Sequence, residues 1–156
     1  GPHNELIKHL TQSGIPVMGH LGLTPQSYHQ LGGNKVQART TAAVDMLVQD
    51  ALALENAGIF ALLLEAIPTA AADEVTTALK IPTIGIGAGP NCDGQVLVST
   101  EMLGLYEGQS PRFVKQYAQL HRHMTTAAER FAEEVRNGAY PSSEHSYNWA
   151  LKNDTA

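Results

Sequence analysis

The nine residues "IFALLLEAI", positions 59–67, constrain the fold more than any other stretch. They are apolar at every position but one. A half-buried strand alternates between apolar and polar side chains, and this run does not. It predicts a strand covered on both faces, which is the habit of parallel sheets. Pro68 ends it.

Helical patterns flank the run. Residues 40–56, "TTAAVDMLVQDALALEN", set Val44, Leu47, Val48, Ala51, Leu52 and Leu54 on one wide apolar face, with Gly58 as the stop. Residues 69–79, "TAAADEVTTAL", predict a short helix. "IPTIGIGAG" (81–89) and "QVLV" (95–98) predict the third and fourth strands. Upstream, residues 4–13 predict a helix with Leu6, Ile7 and Leu10 on one face, Asn4 as its cap and Gly14 at its end. "IPVMGHLG" predicts the first strand at about 15–19. Thr24 before Pro25 opens a short helix that Gly32 and Gly33 close.

Downstream, Phe113, Tyr117, Leu120, Met124, Ala127, Phe131 and Val135 recur at spacings of three and four. They predict one long C-terminal helix over 111–138, followed by an irregular tail over 139–156. The expected organisation is one partial domain over 1–156, with its βα units in 4–110.

Strands alternating with helices imply an α/β fold with a parallel sheet. Such a unit either closes into a (β/α)8 barrel or stays an open, doubly wound sheet. A barrel needs eight strands, and four are read here. A lone four-stranded sheet leaves both edges unpaired.

Composition narrows the function. Hydrophobic residues make up 43% and charged residues 16%, which excludes a disordered chain. The net charge is −5, and the Lys and Arg residues form no block, so no nucleic-acid partner is expected. Cys92 is the single cysteine, which excludes an internal disulfide and a cysteine-cluster zinc site. No apolar run approaches the ~20 residues that span a bilayer, and the chain does not open on a signal-peptide pattern. A soluble, cytoplasmic protein with no membrane partner is expected.

In α/β folds functional groups gather at the carboxyl ends of strands. His20 in "GHLG", Glu65 in "LLLEAIP" and Asp93 in "GIGAGPNCDG" follow successive strands and are expected to face one mouth. Glu65 lies between apolar runs. A carboxylate there is expected to be partly desolvated, which makes it a better general base. The bland reading, a glutamate in solvent or paired with arginine, has equal weight on pattern alone. His20 suits polarising a carbonyl or binding a substrate carboxylate, with a histidine tied to turn backbone as the favoured alternative. Lys35, Gln37 and Arg39 read as surface or subunit contacts. His121 and His123 read as solvated, and His145 as a capping or pairing group. "GIGAG" lacks the final glycine and the following helix of a dinucleotide fingerprint.

Together the strings "IPVMGHLGLTPQS", "LGGNKVQAR", "DALALENAGIFALLLEAIP", "IPTIGIGAGPNCDGQVLV" and "EHSY" resemble the ketopantoate hydroxymethyltransferase family, from about residue 4 to about residue 147. Asn34 and Ala38 depart from it, standing where the family commonly has an aromatic residue and a glycine. The resemblance implies a (β/α)8 barrel of the phosphoenolpyruvate/pyruvate type, assembled as a decamer. The four strands look like the fifth to eighth, so the chain resembles the C-terminal half of that barrel. The family's magnesium ligands, two aspartates and a glutamate, lie on the second to fourth strands, and a substrate-binding serine and lysine lie in the same half. No metal ligand is therefore expected in this chain.

The implied reaction moves a hydroxymethyl group from 5,10-methylenetetrahydrofolate to the keto acid 3-methyl-2-oxobutanoate, giving ketopantoate. Magnesium chelates the keto acid and stabilises its enolate. Glu65 matches the family's general base, and His20 matches a residue that contacts the keto acid. The chain alone is expected to be inactive and to need an N-terminal half-barrel, or a second copy, to complete the barrel. Two alternatives stay open: a non-catalytic, self-associating half-barrel, and another metal-dependent keto-acid enzyme of the same superfamily.

Overall fold

The computed structural model describes residues 3–147. Four strands form one parallel sheet in the order β1-β2-β3-β4, with β1 Met18–Gly22, β2 Ala61–Glu65, β3 Thr83–Ile86 and β4 Gly94–Gln95. Helix α1 (Asn4–Gln12) precedes β1, α2 (Thr41–Asn56) links β1 to β2, and α3 (Thr69–Ala78) links β2 to β3. The first two parallel steps thus carry a helical crossover, as the sequence alternation requires, whereas β3 and β4 are joined by the loop over 87–93 alone.

The register sets the two faces of the sheet. His20 pairs with Leu63, and Gly22 with Glu65. Leu62 pairs with Thr83, and Glu65 with Ile86. Side chains alternate along a strand, so Leu62, Leu64 and Thr83 share one face while His20, Leu63, Glu65, Ile84 and Ile86 share the other. The first face is closed by the helices. Leu62, Leu64 and Val75 of α3 are fully buried, in one core with Leu47, Ala51 and Leu54 of α2. Burying each large side chain contributes roughly 1.5–3 kcal/mol, so this face holds the sheet together. The second face is more open: Leu63 and Ile84 are half-buried and Met18 is exposed.

Helix ends follow local chemistry. The Thr40 hydroxyl accepts from the Ala43 N–H and caps α2. At the other end the Gly58 N–H donates to Glu55 and the Ile59 N–H to Leu54, with Gly58 at φ 96°. This is the Schellman closure, and Ile59 and Leu54 share the same core. Gly14 and Gly138 end α1 and the last helix in the same way. At the start of α1 the cap position is His3 rather than Asn4, with no side-chain cap bond. The segment after Thr24 is one 3-10 turn, Pro25–Ser27, not a short helix.

Residues 3–98 with Pro111–Val114 form one compact unit, and Ser99–Ser110 with residues 115–147 form another. The second unit contains α4 (Ser99–Met102), which the pattern does not foresee, and α5 (Leu120–Arg136). The helix expected over 111–138 therefore starts nine residues late. Backbone bonding explains the difference. The N–H groups of Tyr117, Leu120 and His121 donate to the carbonyls of Met102, Leu103 and Gly104. In the first unit the Phe113 ring lies against Gly87, where a Cβ would fall 2.6 Å from Cδ1. A helix from residue 111 would forfeit both sets of contacts.

Strand β4 is also shorter than 95–98. Among the described residues no strand lies on its outer side, and a parallel edge pairs weakly. Beyond Gln95, the Val96 N–H still donates to Gly85. Of the expected irregular tail, residues 139–147 include one 3-10 turn, Ser143–His145. Residues 148–156 lie outside the described residues.

Candidate functional site

The carboxyl ends of β1 and β2 bring two of the three expected residues together. His20 Nε2 lies 3.1 Å from Glu65 Oε2, with both side chains mostly buried. They stand on the same, more open face of the sheet, two residues apart in register. The distance is that of an ion pair, and no hydrogen bond joins the two groups. Nε2 is buried and has no hydrogen-bond partner. A buried polar atom left so costs stability, and a catalytic or binding role is one of the explanations open to it.

The backbone around Glu65 is unusual. Its carbonyl accepts the Leu23 N–H at 2.8 Å. Gly22, across the strand pair, has φ 91°, and a Cβ there would strike the Glu65 carbonyl oxygen. Ala66, the next residue, has φ 48°. Non-glycine residues in that region are strained, and such strain clusters at functional sites. No pattern in the sequence signals Ala66. Ala38, at φ 50°, had a signal, because the resemblance places a glycine there.

Asp93 does not join the pair. In a parallel sheet a residue just before a strand lies at the amino end of its neighbour. Asp93 precedes β4, and Gly94 pairs with Ile84. Its Oδ2 accepts the Thr83 N–H at 2.8 Å and the Thr83 hydroxyl at 3.0 Å. The buried Thr83 hydroxyl also meets Thr76 Oγ1 at 2.9 Å. Nearby, Glu55 Oε1 accepts the N–H groups of Lys80 and Ile81. Acids at the amino end of the sheet thus serve as backbone staples, whereas Glu65 at the carboxyl end meets an imidazole.

The Thr83 backbone N–H, then its hydroxyl, hold the Asp93 carboxyl below its ordinary value. A carboxylate lowered by folding contributes stability above its unfolded value, about pH 4. That contribution is lost as pH falls through the lowered value. Asp93→Asn is expected to destabilise the fold at neutral pH and to flatten the acid limb of stability. Urea titrations between pH 2 and 7 check this, and an unchanged acid limb refutes it.

A cavity of about 360 Å³ opens beside the edge strand β1. His20, Met18, Gly19 and Gln26 line it together with Asn4 of α1 and Leu54 of α2. Among the described residues no group of three or more His, Cys, Asp or Glu is placed to hold a metal ion. One imidazole and one carboxylate do not fit magnesium, which asks for an octahedron of oxygens. Among the same residues no helix is long and apolar enough to cross a membrane.

The other polar residues are accounted for in part. His121 is not solvated: its Nδ1 lies 3.0 Å from the Gly104 carbonyl and its Nε2 3.4 Å from Glu107. His123 is exposed. His145 pairs with the Ser142 hydroxyl at 2.8 Å. Gln37, read from sequence as a surface or subunit contact, is tied by its backbone N–H to the Ala66 carbonyl at 2.9 Å.

Known proteins share this chain's pattern. The sequence model of the family described as ketopantoate hydroxymethyltransferase matches residues 1–143. A 3-methyl-2-oxobutanoate hydroxymethyltransferase of Pelobacter propionicus is 54% identical over 145 residues, 93% of this chain and 54% of the relative. The proteins of that name from Syntrophus aciditrophicus and Moorella thermoacetica are 52% and 53% identical, over 92% and 90% of this chain. These alignments cover 53% and 52% of the two relatives. The chain spans about half the length of the curated relatives it matches.

Proposed function

This chain belongs to the ketopantoate hydroxymethyltransferase family, and on that premise we propose that it supplies the general base of a hydroxymethyl transfer to 3-methyl-2-oxobutanoate. The observation that carries the reading is the His20–Glu65 pair, 3.1 Å apart at the carboxyl ends of two adjacent parallel strands. Glu65 takes the proton from C3 of the keto acid. The electrons of that C–H bond pass into the enolate. Water cleaves the C–N bonds that hold the methylene group of 5,10-methylenetetrahydrofolate, releasing tetrahydrofolate and formaldehyde. C3 then forms the new C–C bond to that carbon, and its oxygen takes a proton to become the hydroxyl of ketopantoate. His20, with an unpartnered Nε2, binds an oxygen of the keto acid and orients C3 toward the carboxylate.

In this reading the four strands are the fifth to eighth of a (β/α)8 barrel. An N-terminal half-barrel supplies the rest, including the magnesium ligands that the His20–Glu65 pair cannot supply. The closed barrel works in the cytoplasm, in the decamer that the resemblance implies. The more open sheet face, and the outer edges of β1 and β4 that no strand among the described residues covers, support completion of the sheet by further strands.

The test mixes this chain with a separate polypeptide carrying a relative's first four βα units. Ketopantoate formation is then assayed with magnesium and the folate donor. No turnover is expected from the chain alone, and turnover is expected from the mixture. Turnover by the chain alone, or an eight-stranded assembly that stays inactive, overturns the reading. The same two edges favour a second reading, a non-catalytic half-barrel that pairs with its own copy. A stable homodimer that refuses the complementary half would support it.

A further inference from the structure

The turn after Glu65 is strained and held from three sides. Ala66 sits at φ 48°, a conformation that carries a steric cost for any residue with a Cβ. It persists only where the surroundings over-determine it. The Glu65 carbonyl accepts the Leu23 N–H at 2.8 Å, and the Ala66 N–H donates to the Ile86 carbonyl at 2.9 Å. These two bonds come from the ends of the neighbouring strands. The third comes from elsewhere: the Ala66 carbonyl accepts the Gln37 N–H at 2.9 Å.

The loop that carries Gln37 is itself braced. Gln37 Nε2 donates to the Lys35 carbonyl at 2.8 Å, closing the loop on itself. The following Ala38 is left-handed at φ 50° and packs against the core. One donor on a braced loop therefore fixes the carbonyl that follows the base.

We propose that Gln37 is a positioning residue for Glu65. Its backbone N–H holds the strained Ala66 turn and so sets the direction in which the Glu65 carboxylate meets its substrate. The proposal rests on the reading of Glu65 as the general base. It makes a specific demand: the clamp matters because residue 66 is strained. A glycine at 66 adopts the left-handed turn freely, so it should make the clamp dispensable.

The experiment uses the reconstituted eight-stranded enzyme and follows deuterium exchange at C3 of 3-methyl-2-oxobutanoate, with KM and melting temperature recorded alongside. Gln37→Pro deletes the N–H. It is expected to slow exchange by about tenfold or more with KM within about twofold, the sign of a misplaced reacting group. Ala66→Gly alone is expected to stay near the wild-type rate. The double variant Gln37→Pro/Ala66→Gly is expected to recover to within about threefold of wild type, because the strain that required the clamp is gone. A merely structural role would move the melting temperature and leave the rate of the folded enzyme unchanged.

Exchange by Gln37→Pro at the wild-type rate overturns the proposal, and so does a loss that Ala66→Gly does not recover. Should Gln37→Pro fail to fold, Gln37→Ala carries the test, since it removes only the brace to Lys35. A fall of about threefold that Ala66→Gly recovers supports the proposal, and an unchanged rate overturns it. Glu65→Gln separates the two failures. If that variant still exchanges C3, the base assignment falls and the positioning role falls with it. If it does not, while the Gln37 variants match wild type, only the positioning role falls.

Discussion

Replacing Glu65 with glutamine is expected to slow proton removal from the keto acid by about 10²–10⁴-fold in the completed barrel, the usual contribution of a positioned general base. The substitution keeps volume and shape, so the fold should survive it. Glu65 is the only polar residue of β2, and its neighbours Leu62 and Leu64 carry the packing. KM for the keto acid should change little, because His20 remains to bind it. A kcat loss at constant KM marks an interaction made in the transition state. Exchange at C3 within tenfold of wild type, in a variant that melts normally, would falsify the assignment.

A control on the same chain sharpens the test. Glu55 is also a glutamate at the boundary of a helix and a strand, but its Oε1 accepts the Lys80 and Ile81 N–H groups at the amino end of the sheet. Glu55→Gln should therefore lower stability and leave exchange unchanged. The two acids differ in which end of the sheet they occupy, and barrels place chemistry at the carboxyl end and stability at the amino end.

That same distinction marks where the sequence is legible and where it is not. The run at 59–67 announces a buried strand because its apolar character comes from packing on both faces, which composition records directly. Gly14, Gly58 and Gly138 announce helix ends because a left-handed closure leaves a residue-type signature. Asp93 misleads because position along the chain does not say which way a loop has turned. It follows β3 in sequence, yet it sits at the amino end of β3, where the next parallel strand must begin. The start of α5 misleads for a different reason. The periodicity of residues 113–135 is real, but Phe113 is taken up against Gly87, and backbone donors near Tyr117 are taken up by the carbonyls after α4. Periodicity reports which side chains want burial, not whether the backbone has a better partner. At the site, His20 and Glu65 were visible as residue types in strand-end contexts. The strained Ala66 and the Gln37 clamp were not, because neither leaves a compositional trace.

Gly22 ties the fold to the site, and Gly22→Ala is expected to be the most damaging single-methyl change. Two costs add. The residue has φ 91°, where a Cβ costs about 1–2 kcal/mol. The new methyl would also strike the Glu65 carbonyl oxygen and lie 2.8 Å from Ile67 Cγ2. Overpacking of this kind typically costs a further 1–3 kcal/mol or so. The sum, about 2–5 kcal/mol, is a large share of the 5–15 kcal/mol that holds a domain folded. Gly14→Ala isolates the first cost. Gly14 has φ 82°, and nothing lies within 4 Å of its Cβ position. Urea denaturation of both variants should therefore show Gly22→Ala losing more than Gly14→Ala, with the difference measuring the contact on Glu65. Equal losses would mean that the strand pair yields without strain. The direction of any relaxation matters for function. The Glu65 carbonyl that the methyl displaces is the one that accepts the Leu23 N–H, so a folded Gly22→Ala enzyme should also exchange C3 more slowly than its stability alone predicts.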